Sequence, residues 1–271
     1  MHRILCSTGA LIGRPNGRDY HLLADCDKRL ACDGFELMMY DSWYEKVDEL
    51  AAFLRERSLR IPVMHCEKRI GESISRRAAG DWDEAFCRFE VNCQLAAFLG
   101  ARLMVMHLWD GLLSDTKFEN NLEAYAVLRR IAARHGVVLT VENVVCAADD
   151  PMTHFRSILE RDAAAAFTWD TKMAAFHGQT ESAYAPENRF LWAHIRHLHI
   201  NDYAGGYRDW DNLRTLHVGK GSIDFERLFF FLKTIGYQGD YTVEATSFLP
   251  DGVIRWEELN ETFSKIRAYL S

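Results

Sequence analysis

The feature that most constrains this chain is an alternation. Short apolar runs are separated by stretches whose apolar residues recur every three or four positions. The runs are Arg3 to Cys6, Phe35 to Met38, Ile61 to His65, Leu103 to His107, Val137 to Glu142, Ala166 to Asp170, Ile195 to His199 and Tyr241 to Glu244, which makes eight candidate strands. Strands interleaved with helices are the pattern of βαβ units around a parallel sheet.

The clearest helix is expected over Trp82 to Leu99, where Trp82, Ala85, Phe86, Phe89, Cys93, Ala96 and Ala97 form one stripe. Phe225, Leu228, Phe229, Leu232 and Ile235 form another, as do Leu259, Phe263, Ile266 and Leu270. Gly100, Gly136 and Gly236 stand where helices should stop. No linker rich in Pro, Gly or Ser interrupts the series. Right-handed crossovers between eight parallel strands then favour one closed (β/α)8 (TIM) barrel over residues 1–271, with an open doubly wound sheet as runner-up. The longest connection, Asn201 to Gly221, follows the seventh strand and is expected to act as a lid on the C-terminal face.

Composition narrows the function. A net charge of -7 argues against a duplex nucleic-acid binder. The apolar stretch at Met1 to Cys6 is too short for a signal peptide, and no run approaches a membrane span, so a cytoplasmic protein is expected. The seven cysteines include no C-x-x-C pair, which fits reduced thiols better than a zinc knuckle or disulfide framework. A homo-oligomer is compatible with the chain.

The chemistry gathers at strand ends. Four consecutive candidate strands end in Glu142, Asp170, His199 and Glu244. Any one alone would be read as an ion-paired carboxylate or a satisfied core histidine. A carboxylate ending an apolar strand is costly unless paired, hydrogen-bonded or bound to a cation, and four such groups in succession favour one divalent metal. The residues two before each of them, Thr140, Thr168, His197 and Thr242, point the same way and are all polar, a layer suited to holding ligands in place.

At these residues the chain resembles the xylose isomerase-like barrel superfamily of sugar isomerases and epimerases, inositol-catabolism proteins and the endonuclease IV group. The likeness runs through Val141-Glu142-Asn143-Val144, Asp170-Thr171, His199-Ile200-Asn201-Asp202, Gly219-Lys220-Gly221-Ser222-Ile223-Asp224-Phe225 and Glu244. It implies that Glu142, Asp170, His199 and Glu244 are the metal ligands, and that His65 and His107 touch substrate. Met173 stands where the endonuclease group has a histidine, against a multi-zinc site. Ala148 and Gly205 stand where ketose 3-epimerases have a substrate-binding Glu and Arg, which places the chain outside that subgroup and leaves nearby Arg208 as the substitute.

The resulting expectation is an isomerase or epimerase of a sugar, sugar phosphate or related polyol or keto acid. One Mn2+, Mg2+, Co2+ or Zn2+ stabilises an enediolate while Glu142 and Glu244 exchange the proton as base and acid. Trp109 is expected to stack on the sugar, Lys172, with Lys68 and Arg69, to meet a phosphate or carboxylate, and His217 to contact substrate. Asp202 is expected beside the metal ligands. The alternatives are a lyase or dehydratase on a cyclic polyol, an endonuclease IV-like hydrolase, and a non-catalytic sugar-binding protein.

Overall fold

The structure is a computed structural model, and it describes residues 2–271. Eight strands, β1 (Ile4–Ser7), β2 (Phe35–Met38), β3 (Val63–His65), β4 (Leu103–Met106), β5 (Val138–Glu142), β6 (Ala166–Asp170), β7 (Ile195–Ile200) and β8 (Asp240–Val243), follow one another around a closed barrel in chain order. The main helices between them are α1 (Val47–Glu56), α2 (Arg69–Arg76), α3 (Asp81–Leu99), α4 (Phe118–Arg134), α5 (Pro151–Arg161), α6 (Thr171–Phe176), α7 (Phe225–Thr234) and α8 (Trp256–Leu270). The expected closed (β/α)8 barrel is the observed fold, and no helix of the described residues is long and apolar enough to cross a membrane.

Contacts divide the chain into two compact units, Met1–Glu36 with Trp169–Ser271, and Leu37–Thr168. The cut falls within β2 and within β6. In the first unit β1 pairs with β8 in the register Leu5↔Thr242, and β7 pairs with β8 in the register His199↔Thr242. Helices α7 and α8 cover this sheet with Phe225, Leu228, Phe229 and Leu232, and with Leu259, Phe263 and Ile266. In the second unit β3, β4 and β5 pair in parallel, and Glu142 of β5 lies opposite Thr168. The buried stripe of α3 is Ala85, Phe89, Asn92, Cys93, Leu95 and Ala96. Ala97, expected in that stripe, is exposed, because the buried face is centred on Asn92, whose amide bonds the Tyr44 hydroxyl at 2.8 Å. Gly100 ends α3 with a φ of 80°, and Gly136 and Gly236 follow their helices at 68° and 67°, values that cost glycine nothing in Cβ clash.

The long connection after β7 is anchored by one carboxylate. Asp202 accepts the N–H groups of Tyr203, Gly219, Gly221 and Ile223 at 2.8 to 3.1 Å, while its backbone bridges Leu216. A Cβ on Gly221 would lie 2.4 Å from both Asp202 Oδ1 and the Tyr203 carbonyl oxygen, so this glycine is required by close approach. Asp202 is therefore the staple of the loop rather than the partner of the metal ligands that the sequence suggested. Asp224 caps α7 by accepting the Arg227 N–H at 2.9 Å.

Candidate metal centre

Within the first unit Asp170, His199 and Glu244 converge, each offering one ligand atom within 4.8 Å of the others. Asp170 ends β6 and caps α6, its Oδ1 accepting the Met173 N–H at 2.8 Å. Asn201 ties the group together. Its Nδ2 donates to Asp170 Oδ2 at 2.7 Å and to Glu244 Oε2 at 3.3 Å, and its Oδ1 accepts the Glu244 N–H at 3.1 Å. Asp170 and His199 are fully buried, and the Glu244 side chain is 15% exposed.

Beneath them lies Glu36 of β2, a residue that the sequence did not single out. Its carboxylate is fully buried and faces His197 Nε2 at 3.0 Å, His199 Nε2 at 3.1 Å and the Thr242 hydroxyl at 2.7 Å. Burial alone would raise its pKa, but the imidazoles of His199 and His197 hold it well below the usual carboxylate range. The expected polar layer is present in two pairs. His197 Nε2 lies 2.8 Å from Thr242 Oγ1 in the first unit, and Thr140 Oγ1 lies 2.8 Å from Thr168 Oγ1 in the second.

The second unit gathers Glu142, His65 and His107. Glu142 Oε2 meets His65 Nε2 at 3.2 Å and His107 Nε2 at 3.0 Å. His65 Nδ1 donates to the Cys66 carbonyl at 2.8 Å, and His107 Nδ1 faces Asp110 Oδ2 at 2.8 Å. Burial, the largest influence on His107, and nearby Lys68 push its pKa down, yet the carboxylates of Glu142 and Asp110 outweigh them and raise it.

His199 Nδ1 lies 3.4 Å from Glu244 Oε2. With a proton on Nε2 directed at Glu36, a neutral ring would turn its Nδ1 lone pair toward a carboxylate oxygen, an arrangement that needs a proton or a cation between them. Two carboxylates and one imidazole nitrogen are a donor set that fits a hard or borderline divalent ion.

The chain matches the family model described as xylose isomerase-like TIM barrel over residues 28–263. It belongs to that family. Among solved structures, D-psicose 3-epimerase from Clostridium cellulolyticum H10, determined with D-tagatose, shares the fold with a TM-score of 0.76, 13% identity and 99% of each chain covered. The 3-keto-D-glucoside 4-epimerase from E. coli gives 0.69 and 17% over 99% of this chain and 100% of that one. The IolI protein, solved with a bound zinc atom, gives 0.71 and 17% over 99% and 98%. No curated protein matches the sequence.

The remaining candidate residues of this xylose isomerase-like barrel fall in other places. Trp109 is fully buried, donates its indole N–H to the Val145 carbonyl at 3.1 Å, and packs edge-on against Phe118 and His154; its role is packing, not the expected sugar stacking. His217 Nδ1 faces Thr262 Oγ1 at 2.9 Å and Nε2 faces Ser247 Oγ at 3.2 Å, with burial lowering its pKa. Lys172 is buried at the start of α6 with Nζ donating to Thr215 Oγ1 at 3.1 Å. Arg208 adopts a φ of 52° in the long loop, and its backbone N–H donates to the Phe176 carbonyl. Ala148, at the position where 3-epimerases would carry a substrate Glu, gives its N–H to Asp115, which also holds those of Ala147 and Asp149 and meets His154 Nε2 at 2.8 Å. The cluster of Asp115, Cys146 and His154 is thus a loop clasp whose carboxylate is already occupied.

Proposed function

We propose that this barrel is a divalent-metal-dependent isomerase or epimerase of a sugar, sugar phosphate or related polyol or keto acid, with Glu142, Asp170, His199 and Glu244 as metal ligands. The observation that carries this reading is the 3.4 Å approach of His199 Nδ1 to Glu244 Oε2 beside Asp170. Glu142 enters the set because it ends β5 as Asp170 ends β6, and because Thr168, its partner in the sheet, is two residues before Asp170 on one face of β6.

A divalent ion held there supplies Lewis acidity toward a substrate carbonyl and its neighbouring hydroxyl. Glu142 and Glu244 move the proton: one carboxylate removes it from the carbon beside the carbonyl to give an enediolate, and the other returns it. His65 and His107 hydrogen-bond substrate oxygens, while Lys172 and Arg208 meet an acidic substituent. Mn2+, Mg2+, Co2+ and Zn2+ all suit these donors.

The test is elemental analysis of the protein and of His199→Ala after loading with Mn2+, followed by exchange of the substrate α-proton with D2O across aldose and ketose pairs. About one ion per chain, lost in the variant, supports the reading, and no ion after loading overturns it. His107 favours a second reading. An imidazole whose pKa Glu142 and Asp110 raise, within 3.0 Å of both carboxylates, would serve as the acid for a leaving hydroxyl, the step that would make the same centre a lyase or dehydratase on a cyclic polyol. Release of water from an inositol-like ketone, without α-proton exchange in any sugar, would decide for it.

A further inference from the structure

We propose that Glu36 is a positioning residue for the metal centre, fixing His199 so that it binds the ion through Nδ1. The inference rests on the metal reading above and extends it to a residue outside the ligand set.

A carboxylate only accepts hydrogen bonds, so every polar group around Glu36 must donate to it. His199 Nε2 lies 3.1 Å from Oε1 and 3.3 Å from Oε2, which fixes a proton on Nε2. Thr242 donates its hydroxyl proton to Oε2 at 2.7 Å. His197 Nδ1 is buried with no hydrogen-bond partner, and an orphaned ring N–H would be dearer than an orphaned lone pair. Its proton therefore sits on Nε2, where Glu36 Oε2 at 3.0 Å and Thr242 Oγ1 at 2.8 Å accept it.

No lysine or arginine among the described residues pairs with Glu36. A fully buried carboxylate is expensive unless positive charge is brought to it, and the His199 ring joins Glu36 on its Nε2 side to the proposed ion on its Nδ1 side. Carboxylate–imidazole–metal chains of this kind orient the ring and raise its basicity as a ligand.

Glu36→Gln keeps the shape and reverses part of the polarity. The new amide N–H donors face Nε2 of an imidazole that already carries a proton there, and relief comes from moving that proton to Nδ1, where it blocks the metal. Titration calorimetry of the metal-free protein with Mn2+ should show roughly 10- to 100-fold weaker binding in Glu36→Gln, and Glu36→Asp, which retains the carboxylate, should lie nearer wild type. The Co2+-loaded variant should also change its visible absorption.

Wild-type affinity in Glu36→Gln, with an unaltered Co2+ spectrum and only a lower melting temperature, would reduce Glu36 to a structural residue. If that variant does not fold, 15N-histidine NMR of the Zn2+-loaded wild type gives the answer: Nδ1 metal-bound with Nε2 protonated supports the assignment, and Nε2 metal-bound overturns it. Failure of the wild type to bind any of these ions overturns the metal reading itself. Equal binding by wild type and Glu36→Gln overturns only the role of Glu36.

Discussion

The two clusters of the barrel hold their carboxylates in opposite ways. In the first unit Asp170 and Glu244 accept from the Asn201 amide, Asp170 accepts a backbone N–H as well, and a single imidazole nitrogen, His199 Nδ1, lies 3.4 Å from Glu244. In the second, Glu142 sits between two imidazoles whose Nδ1 atoms are already committed to Cys66 and Asp110. A carboxylate held by fixed dipoles keeps its charge for a cation. One held between imidazoles shares in proton movement. The contrast sets Asp170 and Glu244 around the Asn201 amide and Glu142 between two titratable rings.

The sharpest way to break this contrast is to neutralise one carboxylate in each cluster. Glu142→Gln and Glu244→Gln should each lower turnover by roughly 100- to 10,000-fold, more severely than either weakens Mn2+ binding. Unchanged turnover in both variants, measured by steady-state kinetics on the substrate identified by proton exchange, would remove the two-base scheme.

A smaller effect compares the loop anchors. Asp202→Ala strips the acceptor from four backbone N–H groups and should cost about 3 kcal/mol in denaturant unfolding. Asp115→Asn should cost about 2 kcal/mol near neutral pH, because the amide keeps one acceptor oxygen. Burial would raise the Asp115 pKa, but His154 and three backbone N–H groups hold it well below the ordinary carboxylate range. Its stabilisation is therefore present above that range and lost as pH falls through the lowered value, so Asp115→Asn should flatten the acid limb of a stability profile. An unchanged acid limb would show that the clasp does not depend on charge.

The smallest effect is expected at Asp110. The raised pKa of His107 means that its contribution is fully present below the ordinary imidazole range and lost as pH rises through the raised value. Asp110→Asn should lower that value, seen by NMR titration of the ring, and cost on the order of 1 kcal/mol at acidic pH. An unmoved titration would leave Glu142 as the dominant partner.

The barrel was legible because each strand is a short apolar run and each helix carries a stripe, both local signals. Glu142, Asp170, His199 and Glu244 stood out because they end such runs. Glu36 did not, since its partners His197, His199 and Thr242 lie 161, 163 and 206 residues away and only closure of the sheet brings them to it. The available hint was a single acidic residue inside Phe35-Glu36-Leu37-Met38. Trp109 failed for another reason: an indole near a strand end can stack on a sugar or fill a core, and its neighbours Phe118 and His154, which decide between them, are supplied by later helices. Asp202 was misread because four backbone N–H groups leave no mark in side-chain pattern.

The Asp202 staple bears on how such a barrel can change its substrate. All four N–H groups it gathers belong to the two ends of the long connection, Tyr203 on one side and Gly219, Gly221 and Ile223 on the other. Residues 204 to 214 lie between these ends and give Asp202 no N–H; they are tied down separately, by the Tyr203 hydroxyl donating to the Gly206 and Asp209 carbonyls and by Arg208 N–H donating to the Phe176 carbonyl. The tip is in effect an exchangeable cassette, and a chimera that imports the corresponding stretch from another barrel while leaving Asp202, Tyr203 and Gly221 in place should inherit a new specificity on an intact scaffold.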